Sequence, residues 1–318
     1  MNIMISILAN NIFPIFVLVG LGFLLAKKFT MDIGTLTKVN FYLLVPSFTF
    51  VYLYTTDIPV EMLKVFAAAV LLMVINYSIA SIVSNLRKFD TGLKNAFINS
   101  IIFYNSGNIG IPLITLIFSN PPFVVNGQTP YLDMALTAQI MVLVVQNITT
   151  NTLGFYIAGR AKLPWKESLK KILKMPAVYM IPAAFLFKAL PVDLTCMPFW
   201  PAMVYLRNAL VATALLILGI QIAGTRFKSL DKNVLCSSLI RLAGGPLLAL
   251  GLIFILKLEG IPAQVTFISS SVPTAVNSAL IASECDNQPD FAAHAVLSST
   301  VLCAVTLPGV IYLAQTMF

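Results

Sequence analysis

Apolar runs of about 20 residues, the length a helix needs to cross a bilayer, recur along this chain and constrain its fold more than anything else in it. Ten such runs are read: 7–26, 37–54, 62–84, 93–118, 133–158, 172–190, 200–222, 233–256, 261–283 and 291–314. The connections between them are short, so no separate soluble domain is expected. The predicted fold is therefore an all-α polytopic membrane protein. Composition agrees: charged residues make up 10% of the chain, against about 25% in soluble domains, too few to wet a surface all round. A net charge of +8 does not point to nucleic acid, because the cations lie in short loops between apolar runs.

Those cations set an orientation. Lys27, Lys28, Lys38, Arg87, Lys88 and Lys94 follow the first and third runs, Arg160 to Lys174 follow the fifth, and Arg226, Lys228 and Lys232 follow the seventh. The opposite side holds only Lys64, Lys188 and Lys257. Positive residues favour the cytoplasmic side, so both termini are expected outside a plasma or inner membrane. The acidic loop after the ninth run, with Glu284, Asp286 and Asp290, counts little in that rule. Lys27 and Lys28 follow the first run instead of preceding it, so no cleavable signal is expected.

The longest cationic connection, 159–171, divides the chain at its midpoint. Residues 1–158 and 172–318 carry five runs each, so the second half enters the membrane in the opposite sense, as an inverted repeat would. The fourth run of each half is interrupted. In "NSGNIGIPL" (105–113), Gly107 and Gly110 relax the backbone, and Pro112 lacks an amide hydrogen and disfavours helix at Ile111. A helix reaching Tyr104 can end there, with Pro112 in the first turn of the next. In "SSSVPTAVNSA" (269–279), Ser271 and its neighbours can satisfy freed backbone groups, Pro273 can open the second half, and Asn277 lies just beyond.

Irregular backbone at membrane depth persists only where protein or a watery cavity satisfies it, so two matched breaks are expected to meet. Each restarting helix carries roughly half a positive charge at its N-terminus, which favours an anion. Asn105, Asn108 and Asn277 would serve as neutral hydrogen-bonding groups there. Arg241, about 12 Å inside the eighth run at 1.5 Å per residue, either supplies positive charge to a carboxylate or snorkels to the interface. A buried carboxylate pair for cation exchange is missing. Glu284 and His294 are candidate ion-coupling residues near an interface, and Gln139, Asn147, Thr150, Asn151 and Ser270 could offer neutral oxygens to sodium. The same polar groups could instead join helices; Asn40 and Asn76 are equally open.

The four cysteines (Cys196, Cys236, Cys285, Cys303) lack paired spacing and are expected as small buried hydrophobes. One histidine and no CxxC pattern argue against a metal, and no cofactor is expected.

These motifs resemble the auxin efflux carrier family, which includes the plant PIN proteins and many bacterial transporters. "NSGNIGIPL" looks like the family's crossover. The segment 271–313 resembles its last two helices at Pro273, Ala282-Ser283-Glu284, Pro289-Asp290 and Leu307-Pro308. "LLILGIQIAG" (215–224) is similar to its seventh helix. The resemblance implies a fold like the bile-acid symporters and sodium/proton antiporters: ten helices in two inverted five-helix repeats, with broken fourth and ninth helices crossing at the midplane. It implies a scaffold of helices 1, 2, 6 and 7, through which homodimers form, and a moving domain of helices 3–5 and 8–10. Carried over by position, Asn105, Asn108 and Pro112 occupy the fourth-helix motif and Pro273 the ninth-helix one. The short central loop resembles bacterial members, which points to a small organic acid such as malonate or malate, with an auxin-like carboxylate less fitting.

The function expected is secondary transport of a small organic anion by elevator-type alternating access, without enzymatic activity. A sodium-coupled symporter of a larger amphipathic anion is the alternative. A channel fits less well, since no continuous polar lining is apparent. No HExxH or GxxxxGK[ST] pattern supports an intramembrane enzyme or an ATP-driven pump.

Overall fold

The computed structural model describes residues 7–57, 59–159, 176–224 and 231–318. Among them the regular structure is helical, with two isolated β-bridges and no strand. Leu8–Ile12 is a π-turn that leads into α1, Phe13–Lys28. Next come α2 (Ile33–Val39), a π-turn at Asn40–Leu44 and α3 (Val45–Thr55). The long α4 spans Glu61–Leu86 and α5 Thr91–Ile102; after a gap, a π-turn at Ser106–Gly110 runs into α6, Ile111–Phe118. α7 (Leu132–Thr149), a π-turn at Thr150–Gly154 and α8 (Phe155–Ala158) end the first half.

The second half begins with α9 (Pro176–Lys188) and α10 (Trp200–Gly224). α11 (Lys232–Leu239), a π-turn at Ile240–Gly244 and α12 (Gly245–Leu256) form one run. α13 (Gly260–Ser270), α14 (Val276–Glu284) and α15 (Pro289–Met317) complete it. Most of the expected central linker, 160–171, and its cations lie outside the described residues, as do Lys174, Arg226 and Lys228.

Among the described residues, six runs are long and apolar enough to cross a membrane: Ile33–Thr55, Glu61–Leu86, Leu132–Ala158, Trp200–Gly224, Lys232–Leu256 and Pro289–Met317. The other four predicted runs are built from shorter helices: α1 with 16 residues, α9 with 13, and the pairs α5/α6 and α13/α14 on either side of the breaks. Aspartates set several helix starts. Asp32 accepts from the Gly34 amide at 2.9 Å, Asp90 from Leu93 at 2.9 Å and Asp231 from Asn233 at 3.3 Å, each occupying an otherwise orphaned N-terminal donor. The Thr35 hydroxyl and then the Gly34 amide hold the Asp32 carboxyl below its usual range.

Packing separates the helices into two groups. α1 lies along α10, and α9 along α3. The α1–α10 contact is backbone on backbone: a Cβ at Gly22 would overlap the Leu216 carbonyl, and one at Gly219 the Val19 carbonyl. Tyr54 ties α3 to the loop after α9, since its hydroxyl donates to the Val192 carbonyl and accepts from the Leu194 amide, both at 3.0 Å. In the other group α4 packs on α5, α7 and α12, while α13 lies between α7, α12 and α15. The groups meet chiefly where α10 touches the Ser106–Gly110 turn and α6, and where α3 touches α7.

Cys285 and Cys303 are buried as expected. Cys196 departs from that expectation. It is exposed, because it sits in the connecting turn Leu194–Cys196 and not within an apolar helix.

Candidate functional site: two interrupted helices that pair

Both breaks read from the sequence are present, and they bond to each other. α5 stops at Ile102, and Phe103 turns extended (φ −103°, ψ 121°). α13 stops at Ser270, and the chain is extended again at Ala275 (φ −66°, ψ 135°). The Asn105 amide donates to the Pro273 carbonyl at 2.8 Å, and the Ala275 amide to the Phe103 carbonyl at 2.9 Å. Tyr104 and Thr274 face each other in this short antiparallel bridge. The unwound backbone thus satisfies its own polar groups, which is the condition for irregular chain at depth.

Side chains secure what the bridge leaves over. The Tyr104 amide donates to Gln146 Oε1 at 3.0 Å, and the Thr274 amide to Ser299 Oγ at 3.1 Å. The Thr274 hydroxyl donates to the Ser100 carbonyl at 2.8 Å. Gln139 spans both breaks: Nε2 donates to the Ser106 carbonyl at 2.8 Å, and Oε1 accepts from the Ser269 hydroxyl. Replacing Gln146 by leucine leaves the buried Tyr104 amide without an acceptor, at a cost of about 1–3 kcal/mol. A lowered midpoint in thermal unfolding of the purified variant is the expected result, and an unchanged midpoint would count against this role.

A cavity of about 30 Å³ opens beside the bridge. Its walls include Asn105, Ser106, Gly107 and Asn108 from the first restart and Val276 and Asn277 from the second, so two helix N-termini converge on it. Phe41, Tyr104 and the α7 residues Gln146 and Asn147, with Thr150 just beyond, close the rest. None of these lining residues is charged. Two amide groups at the cavity keep a donor unused. Asn105 Oδ1 accepts from the Asn108 amide at 3.1 Å, and Gln146 Oε1 accepts from Tyr104, so main-chain donors dictate which way both side chains face. Asn105 Nδ2 and Gln146 Nε2 are left buried and without a partner. One unused N–H donor at a helix N-terminus and another beside it, with a second N-terminus converging, favour negative charge and repel cations. Asn40 Nδ2 reaches across from the other helix group to Asn108 Oδ1 at 3.1 Å.

The remaining residues singled out in the sequence fall elsewhere. Gly110 does not line the cavity; it gives Gln139 room, since a Cβ there would overlap Nε2. Pro112 is the second residue of α6, but the helix restarts six residues earlier at Ser106 under the Asn105 cap. Pro273 does not open the second half-helix. It lies within the bridge as an acceptor, and the helix begins at Val276. The Ser271 hydroxyl donates to the Ile268 carbonyl at 2.6 Å. Glu284 is exposed at the end of α14, His294 is half-buried in α15, and neither lines the cavity. The Asn151 side chain lies outside the described residues.

Arg241 neither snorkels nor lines the cavity. It is fully buried, and its guanidinium donates to the Ile101 carbonyl at 2.9 Å and to the Ser270 carbonyl, 4.5 Å above the Tyr104 ring. Depth alone left two alternatives open, and the side chain takes neither because two helix ends reach it first. Gln146 was not singled out in the sequence at all. A glutamine in an apolar helix looks like any inter-helix polar contact until Tyr104, 42 positions away, is placed against it.

Paired helix breaks around a buried, uncharged polar cavity in an all-helical chain with several membrane-length spans are the architecture of a membrane transporter. Comparison with known proteins agrees. The profile of the family described as "Membrane transport protein" matches residues 165–311. A protein of Methanothermobacter thermautotrophicus described as an uncharacterized transporter is 24% identical over 309 residues, covering 94% of this chain and 96% of the relative. Over most of its length the chain is thus similar to membrane transport proteins.

Proposed function

We propose that the protein is a secondary carrier for a small organic anion, bound where the two breaks pair. The observation that carries this reading is the pair of unused amide donors, Asn105 Nδ2 and Gln146 Nε2, on residues that line a cavity onto which two helix N-termini converge. A space of about 30 Å³ admits on the order of two or three waters, so the cavity has to widen to take even a small carboxylate. Its size favours a mono- or dicarboxylate such as malonate or malate over a larger amphipathic anion.

Widening comes most readily at the boundary between the two helix groups. α1, α3, α9 and α10 form a scaffold, and the remaining long helices a moving body that carries the crossing in an elevator-type cycle. Five predicted runs per half, with a break in the fourth of each, give the inverted repeat that alternating access uses. The loops rich in lysine and arginine face the cytoplasm, both termini lie outside, and a second copy docks through the scaffold. Coupling to sodium or protons through Asn147, Thr150, Asn151, Glu284 or His294 is a matter for the same assay.

Purified protein in liposomes is expected to take up labelled malonate, malate or a monocarboxylate at saturable rates, measured with and without a sodium or proton gradient. Ohmic, non-saturating current would replace the carrier by a channel. Asn108→Ala is expected to abolish saturable uptake while keeping normal yield and elution. Full uptake by that variant would remove Asn108 from the mechanism.

A further inference from the structure

We infer that Arg241 is a positioning residue that cancels the negative ends of both first half-helices, so that the cavity senses only the positive ends of the second halves. α5 and α13 both end at the crossing, and each leaves C-terminal carbonyls without helical partners and roughly half a negative charge. Arg241 bonds one carbonyl from each: Ile101, next to last in α5, and Ser270, last in α13. One whole positive charge thus meets two half-charges. The sequence makes room for this, since Gly245 one turn further on lies so close that a Cβ would overlap Arg241 Nη2 and the Ser270 carbonyl.

The guanidinium is one ring away from the cavity. It stacks on Tyr104, and Tyr104 lines the cavity and hangs from Gln146 through its amide. Removing the charge would release two partial negative charges beside a site that the helix N-termini otherwise make positive. It would also loosen both breaks at once. The inference rests on the anion-site reading for its effect on transport, but the clamp itself does not.

Two measurements test it. Hydrogen exchange followed by mass spectrometry on the full-length protein is expected to quicken by about tenfold or more at 103–107 and 271–277 in Arg241→Met, with α1 and α10 unchanged, as loss of two charged hydrogen bonds requires. Gly245→Ala displaces the guanidinium without removing it and serves if the methionine variant does not fold. Unchanged exchange at both breaks, or a rise throughout the molecule, overturns the clamp.

The electrostatic part is read from a cysteine placed by Asn277→Cys, reacted with methanethiosulfonates bearing either a sulfonate or a trimethylammonium group. The anionic-to-cationic rate ratio is expected to fall by about tenfold in the Arg241→Met background and to recover with Arg241→Lys. A purely structural pin would change both rates together, and a ratio that stays constant refutes the charge role. If neither reagent reaches the cysteine in the parent protein, the anion-site reading fails, and the exchange result alone judges the clamp.

Discussion

Asn105→Ala is expected to lower anion uptake by about 100-fold and to cost about 1–3 kcal/mol of stability, because one side chain does two things. Its Oδ1 caps the restarting helix at the Asn108 amide, and its Nδ2 is an unused donor at the cavity. Serine separates the roles. It caps a helix about as well as asparagine, so Asn105→Ser is expected to recover most of the thermal stability. Its shorter side chain does not return the amide donor, so uptake stays low. The comparison needs unfolding midpoints and initial uptake rates for both variants. If serine restores transport along with stability, the donor is not part of the site, and capping alone explains the asparagine.

The second large effect lies far from the cavity. Gly219→Val is expected to prevent folding or assembly in the membrane, because a Cβ there falls on the Val19 carbonyl and near the Phe23 amide. Neither contact is a flexible side chain that could swing aside. α1 and α10 would have to separate along their length, losing the close approach that small residues permit between membrane helices. Gly20 is the internal control, since a side chain there meets nothing within 4 Å and Gly20→Ala should express normally. Yield of monodisperse protein in detergent decides this. Normal yield from Gly219→Val would show that the two helices tolerate a looser crossing.

Both variants follow from features that were unequally legible in the sequence. The break around Asn105 could be read locally. Glycine, asparagine and proline inside an apolar run change the backbone whatever surrounds them, and the second break at Pro273 carries the same grammar. Gly219 offered no such signal. It stands in "LLILGIQIAG", where a glycine could face lipid, a partner helix or nothing, and only α1 laid against it makes it indispensable. The prolines were legible as breakers but not in their roles. The restart of the first helix follows the Asn105 cap ahead of Pro112, and Pro273 serves as a bridge acceptor.

By itself, the sequence determined the membrane class, the placement of the apolar runs and the two positions where a helix cannot continue. Those depend on local hydrophobicity and on backbone chemistry that each residue carries with it. The tertiary structure alone decided that the breaks pair with each other, that Gln146 holds the Tyr104 amide, and that Arg241 bonds two helix ends. Each of these depends on partners supplied by distant segments, from 42 positions away for Gln146 and 140 for Arg241 and Ile101 to 174 for Thr274 and Ser100 across the breaks. A buried polar group takes its role from whichever donor or acceptor packing brings within about 3 Å, and that choice is made only when the helices assemble.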